Sequence, residues 1–154
     1  MLDLNGDDMD NFNEYFLRER RVFLENINYE TVKTEQGTSQ RRLGCRDTVV
    51  AQLIGGKGVK IIFNRRLNFE PEAIFTLSVS FGVFLRFDPT RMGEVNWQEV
   101  NIVKEFTRSC PAVMGELNAR TTALVAQITS ASGGIPIVTG NPHEGKPAGD
   151  TPVT

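Results

Sequence analysis

The sequence predicts an α+β domain, an antiparallel sheet of three or four strands followed by helices. Apolar residues alternate at a period of two through the first half of the chain, and after Pro89 the period becomes helical. Turn-forming segments such as "GGKG" separate the runs. Strands come first and helices second, the order of an α+β layout.

From Phe12 to Phe23, apolar residues at Phe12, Tyr15, Phe16, Val22 and Phe23 suit an amphipathic helix interrupted by "RERR". A strand beginning near Arg20 is the alternative. Tyr29 to Glu35 and Thr48 to Ile54 read as strands, the second ended by Gly55 to Gly58. In "GVKIIFNRRLNFE", Val59, Ile61 and Phe63 alternate with Lys60, Ile62 and Asn64, and Leu67 and Phe69 resume the beat. "EPEA" then connects this strand to the next, so the two should pair as an antiparallel hairpin.

Ala73 to Phe87, "AIFTLSVSFGVFLRF", is apolar at every odd position, while Thr76, Ser78, Ser80 and Gly82 hold even ones. At about 3.4 Å per residue the run would reach about 50 Å, well beyond the usual strand of about 17 to 20 Å. A bend at Gly82 through a bulge, or pairing beyond one protomer, is therefore expected. After Pro89, Val95, Val100, Val103 and Phe106, with Trp97 nearby, suggest a helix. Val113, Leu117, Leu124 and Ile128, with Met114 and Val125 beside them, mark a second helix that starts at Pro111 and ends at Gly133 and Gly134.

A length of 154 residues suits one core. The ends set its limits: residues 1–10 read as a flexible leader, 11–139 as the domain and 140–154 as a flexible tail rich in Gly and Pro. A net charge of −2, from 17 basic and 19 acidic side chains, gives no field for nucleic acid, and no apolar run is long enough for membrane insertion. Cys45 and Cys110 are too few for a disulfide framework and the N-terminus is acidic, so a cytoplasmic protein with reduced thiols is expected.

Chemistry finds little support. Cys110 stands at a helix start, where a thiol pKa can fall, but His143 lies in the predicted tail and no positioned base is evident. Capping or packing is the expected role. One histidine and two distant cysteines make no zinc site, and "GGKG" lacks the spacing of a phosphate loop. The pairs Arg20/Arg21, Arg41/Arg42 and Arg65/Arg66 read as solvated sheet edges or a partner surface. Ile62, Ile74 and Phe84 fall on the face opposite the main apolar register, where one good helix cannot also reach. Such a face is closed in a homo-oligomer, used to bind a client, or both.

"GVKIIFNRRLNFEPEAIFTLSVSFGVFLRF" followed by "CPAVMGELNARTTALVAQITSASGGIPIVTGNP" resembles the SecB-like export chaperone family, including its smaller stand-alone members. Cys110-Pro111 at the helix start, and Gly134, Pro136 and Pro142 after its end, carry the match, which spans roughly Tyr29 to Pro142. The resemblance implies an antiparallel sheet with helices on one side, assembled as a dimer or tetramer. It implies a holdase that binds unfolded polypeptide without nucleotide hydrolysis or a cofactor, its extended clients lying in apolar grooves and along strand edges. Projected by face and apolarity, the client-binding candidates are Ile62, Leu67, Phe69, Ile74, Phe84, Ile135 and Ile137. Export members continue past the last proline into another helix and a tail that help engage the translocation motor, where this chain has "HEGKPAGDTPVT". Other SecB-like proteins guard antitoxins, so export machinery and an antitoxin are alternative partners.

Overall fold

The computed structural model describes residues 9–32, 41–71, 74–131, 137–139 and 151–153. Four long strands, β1 (Val22–Val32), β2 (Arg41–Ile54), β3 (Gly58–Glu70) and β4 (Ile74–Arg86), precede two helices, α1 (Ile102–Ser109) and α2 (Pro111–Ala131). A short strand, β5 (Thr151–Val153), completes an antiparallel sheet in the order β1-β4-β3-β2-β5. The α+β architecture is the one expected, and β3 and β4 form the predicted hairpin.

Alternation assigns the faces. Val59, Ile61, Phe63, Leu67 and Phe69 of β3 and Phe75, Leu77, Val79, Phe81, Val83 and Leu85 of β4 are buried on one side. Helix α2 lies on that inner face, chiefly against β4. Its buried row is Leu117, Thr121, Val125 and Thr129, four apart, with Val113, Met114, Leu124 and Ile128 half-buried beside it. The row is rotated from the expected one because two threonines satisfy their own hydroxyls. Thr121 donates to the Leu117 carbonyl at 2.7 Å and Thr129 to the Val125 carbonyl at 2.8 Å, so neither brings an unpaired polar group into the core.

The long β4 run is accommodated differently from the expectation. Pairing between β3 and β4 continues through Gly82 without a shift, and the irregularity lies in β1, between Leu24 and Asn26. Gly82 instead makes room: a Cβ there would lie 2.7 Å from the Phe23 ring and 2.8 Å from Ile62.

The helix expected over Phe12–Phe23 is absent. A 3-10 turn, Phe12–Tyr15, leads to an extended segment and then to β1, which is the alternative strand reading. Tertiary contacts override the weak helical period here. Phe12, Tyr15, Phe16 and Phe87 surround Trp97, at ring-centroid distances of 6.2, 5.5, 5.3 and 5.1 Å. Met9 is buried, and its N–H donates to Glu105 at 3.2 Å. Two 3-10 turns, Met92–Glu94 and Trp97–Glu99, replace the first part of the helix expected after Pro89, leaving α1 capped by the Asn101 side chain.

Candidate functional site

The inner face holds a buried polar cluster. Arg65, though flanked by polar Asn64 and exposed Arg66, follows the inward beat of β3 and is 0% exposed. Its Nε and Nη2 donate to the two carboxylate oxygens of Asp47, its register partner on β2, at 2.7 and 2.9 Å. Nη2 also donates to Asn118 at 2.6 Å, and Nη1 to Thr122 at 2.9 Å and Thr139 at 2.6 Å. A guanidinium has five N–H groups, and five bonds are made. The reading of Arg65/Arg66 as a solvated pair therefore fails at Arg65, since alternation turns it toward α2. This cluster ties β2, β3, α2 and the segment after α2 together, and its donors have none to spare for a ligand.

The outer face is different. In its middle Asn64 donates to the hydroxyls of Ser78 and Ser80 at 2.8 and 2.6 Å, a polar ladder suited to water. Toward the start of β3, Phe23, Ile62 and Phe84 form an apolar patch around Gly82 and Gly58, whose missing side chains leave space for the rings. Lys60 bounds it, ion-paired with Glu25 at 2.7 Å and 5.7 Å over the Phe23 ring. Across the face, exposed Arg46 and Arg66 are register partners. Like charges placed side by side are unfavourable, so an anionic partner group would be welcome there.

Of the predicted client residues, the structure brings Ile62 and Phe84 together, half-buried, on this uncovered face. Ile74 is 43% exposed at the start of β4, with a φ of 60°, a left-handed conformation uncommon for a β-branched residue. Leu67 and Phe69 occupy odd positions of β3 and are buried under the covered face, with Phe69 edge-on to Phe75 at 5.2 Å. Ile137 packs beside α2, its N–H donating to the Thr129 hydroxyl at 2.9 Å, and Ile135 lies outside the described residues. Phe23, Leu24 and Ile27 are not among the predicted client residues, because only the alternative strand from near Arg20 carries them. Leu24 and Ile27 are 49% and 41% exposed at the β1 edge, which no strand covers among the described residues.

Cys110 is buried at the α1–α2 junction. Its Sγ accepts from Arg20 at 3.2 Å and donates to Asn13 at 3.1 Å. Burial pushes its thiol pKa up, against the opposing pull of the Arg20 charge. Burial likewise raises Cys45, helped by the negative charge of Asp47 and opposed by Arg65. A thiol held above its ordinary pKa carries less thiolate at pH 8 than a free one, so Cys110 should be a poor nucleophile. In a Cys45→Ser variant, labelling by a disulfide reagent at pH 8 is expected to be at least about tenfold slower folded than unfolded. Equal rates would contradict the packed role.

Among the described residues no cluster of three or more His, Cys, Asp or Glu side chains could hold a metal, and no helix is long and apolar enough to cross a membrane. No family model matches the sequence, and no curated protein does. A solved structure does match: a Mycobacterium tuberculosis SecB-like chaperone, Rv1957, in complex with a ChAD peptide from the HigA1 antitoxin. The likeness covers 80% of this chain and 89% of that one, at 12% identity and a TM-score of 0.55. This likeness gives the chain, with its antiparallel sheet and two helices, a SecB-like fold.

Proposed function

We propose that the chain is an ATP-independent chaperone that holds unfolded or partly folded polypeptides in the cytoplasm and works as a homo-oligomer, a dimer or tetramer. The observation that carries this reading is the unequal covering of a SecB-like sheet. Helix α2 covers one face along β4, while the other keeps the patch of Phe23, Ile62 and Phe84, and among the described residues no strand covers the β1 edge or β2 from Gly44 to Ile54. Apolar side chains for anchoring and unpaired backbone for strand addition are what an extended polypeptide needs. Ile74 extends the client surface at the start of β4, and Ile137, beside α2, and Ile135 complete the set of client residues. Leu67 and Phe69 form the floor beneath α2.

The double variant Ile62→Ser/Phe84→Ser is expected to weaken binding of an unfolded client about tenfold while leaving the cooperative unfolding transition in place. Light scattering of an aggregating client at stoichiometric chaperone checks it. Undiminished suppression by the variant would remove the patch from the mechanism, and no suppression by the unaltered chain would remove the general holdase. The solved neighbour's antitoxin peptide favours a second reading, a dedicated chaperone of one partner such as an antitoxin. Recovery of a single stoichiometric partner, without general suppression of aggregation, selects it. Delivery of clients to export machinery is the third possibility, read out by secretion of a reporter in cells lacking their own export chaperone.

A further inference from the structure

We infer that β5 is a built-in competitor for clients: it occupies, in antiparallel register, an edge of β2 that an extended client segment takes in its place. The inference rests on the chaperone reading above. Thr151, Pro152 and Val153 pair with Leu43, Arg42 and Arg41. Strand β2 has 14 residues, so the edge from Gly44 to Ile54 has no strand beside it among the described residues. The seat is thus one end of a longer track, and at that end β2 already carries an added strand.

The hold on β5 is weak by construction. It has three residues, against about five or six in an ordinary strand, and only Thr151 and Val153 turn their N–H groups toward β2. A segment this short would not stay in place from free solution. Its attachment to the chain supplies the occupancy: after α2, Ile137 is bonded to Thr129 and Thr139 to Arg65, which fixes the start of the connection on the inner face. Tethering of this kind gives an effective concentration on the order of millimolar. A client that pairs beyond Leu43 makes ladder bonds that β5 cannot, and so displaces it. The inward-facing β2 residues next to that client are Leu43, Cys45, Val49, Ala51 and Leu53, with Asp47 already engaged by Arg65. The favoured client segment is therefore extended, free of proline and apolar at every second residue.

The test compares the full chain with one lacking Asp150–Thr154, using fluorescein-labelled, carboxymethylated α-lactalbumin as the unfolded probe. The shortened chain is expected to bind about fivefold more tightly or better. The Arg41 and Leu43 amides, which face β5, should exchange faster in it without probe, and slow again when probe is added. The full-length double variant Thr151→Pro/Val153→Pro, which removes the two N–H groups that face β2, should act in the same direction and guards against misfolding on truncation. Equal probe affinity in all three chains overturns the inference and leaves the chaperone reading standing. Binding by none of them overturns the chaperone reading, and the inference with it.

Discussion

Replacing Asp47 by Asn is expected to destabilise the fold by about 3–5 kcal/mol, the range seen when one member of a buried ion pair is removed. The Asp47 carboxylate takes two of the five bonds made by Arg65, whose side chain has no exposure, so its loss leaves a guanidinium buried without a countercharge. The asparagine is nearly isosteric, which separates charge from shape. Arg65→Met should cost less, because the methionine fills much of the volume and Asp47, 21% exposed, can regain water. Urea unfolding of the two variants measures the difference. A change below about 1 kcal/mol for Asp47→Asn would mean that water or another group already compensates Arg65.

The second large effect is expected at Trp97. Its ring contacts Phe12, Tyr15, Phe16 and Phe87, and its Nε1 donates to the Met92 carbonyl at 3.1 Å. Trp97→Ala should cost about 3–5 kcal/mol, since it opens a cavity that rigid neighbouring rings fill poorly. The loss should also release the segment before β1, which docks through the same rings and through Asn13, whose side-chain amide donates to the Ser109 carbonyl at 2.8 Å. Denaturation followed by far-UV circular dichroism gives the first quantity, and limited proteolysis around residue 17 gives the second. Normal stability with new cleavage would show that the segment docks without supporting the sheet.

What the sequence disclosed and what it hid follow from how local each signal is. The β3 and β4 registers were legible because both faces obey a period of two over long runs, and α2 because Pro111 marks its first turn. The start of β1 was not, because Phe12, Tyr15 and Phe16 imitate a helical stripe while serving a cluster built around a residue some eighty positions away. Strand β2 was found only from Thr48, since Arg41 to Asp47 is too polar to announce a strand, and Arg42 to Asp47 gain their place by pairing with Arg65 to Glu70 along β3. Arg65 was read as solvated although it stands on the apolar beat between Phe63 and Leu67, because the partners that make its burial tolerable, Asp47, Asn118, Thr122 and Thr139, were beyond local reading. At the candidate site, Ile62 and Phe84 were legible from their face, whereas Phe23 required the β1–β4 register to be known.

The aromatic cluster has a consequence for optical measurement. Trp97 is the only tryptophan, and it packs on Phe87, whose N–H is bonded to the Lys57 carbonyl at the start of β3. Leu43, where β5 begins its pairing, lies opposite Phe69 near the far end of that strand. Eleven steps of about 3.3 Å separate Gly58 from Phe69, so the two ends stand about 36 Å apart. Intrinsic fluorescence is thus a position-sensitive readout: a spectral change on adding a polypeptide without tryptophan reports the end carrying Phe84, and a silent titration with binding seen by another method reports the end carrying Leu43.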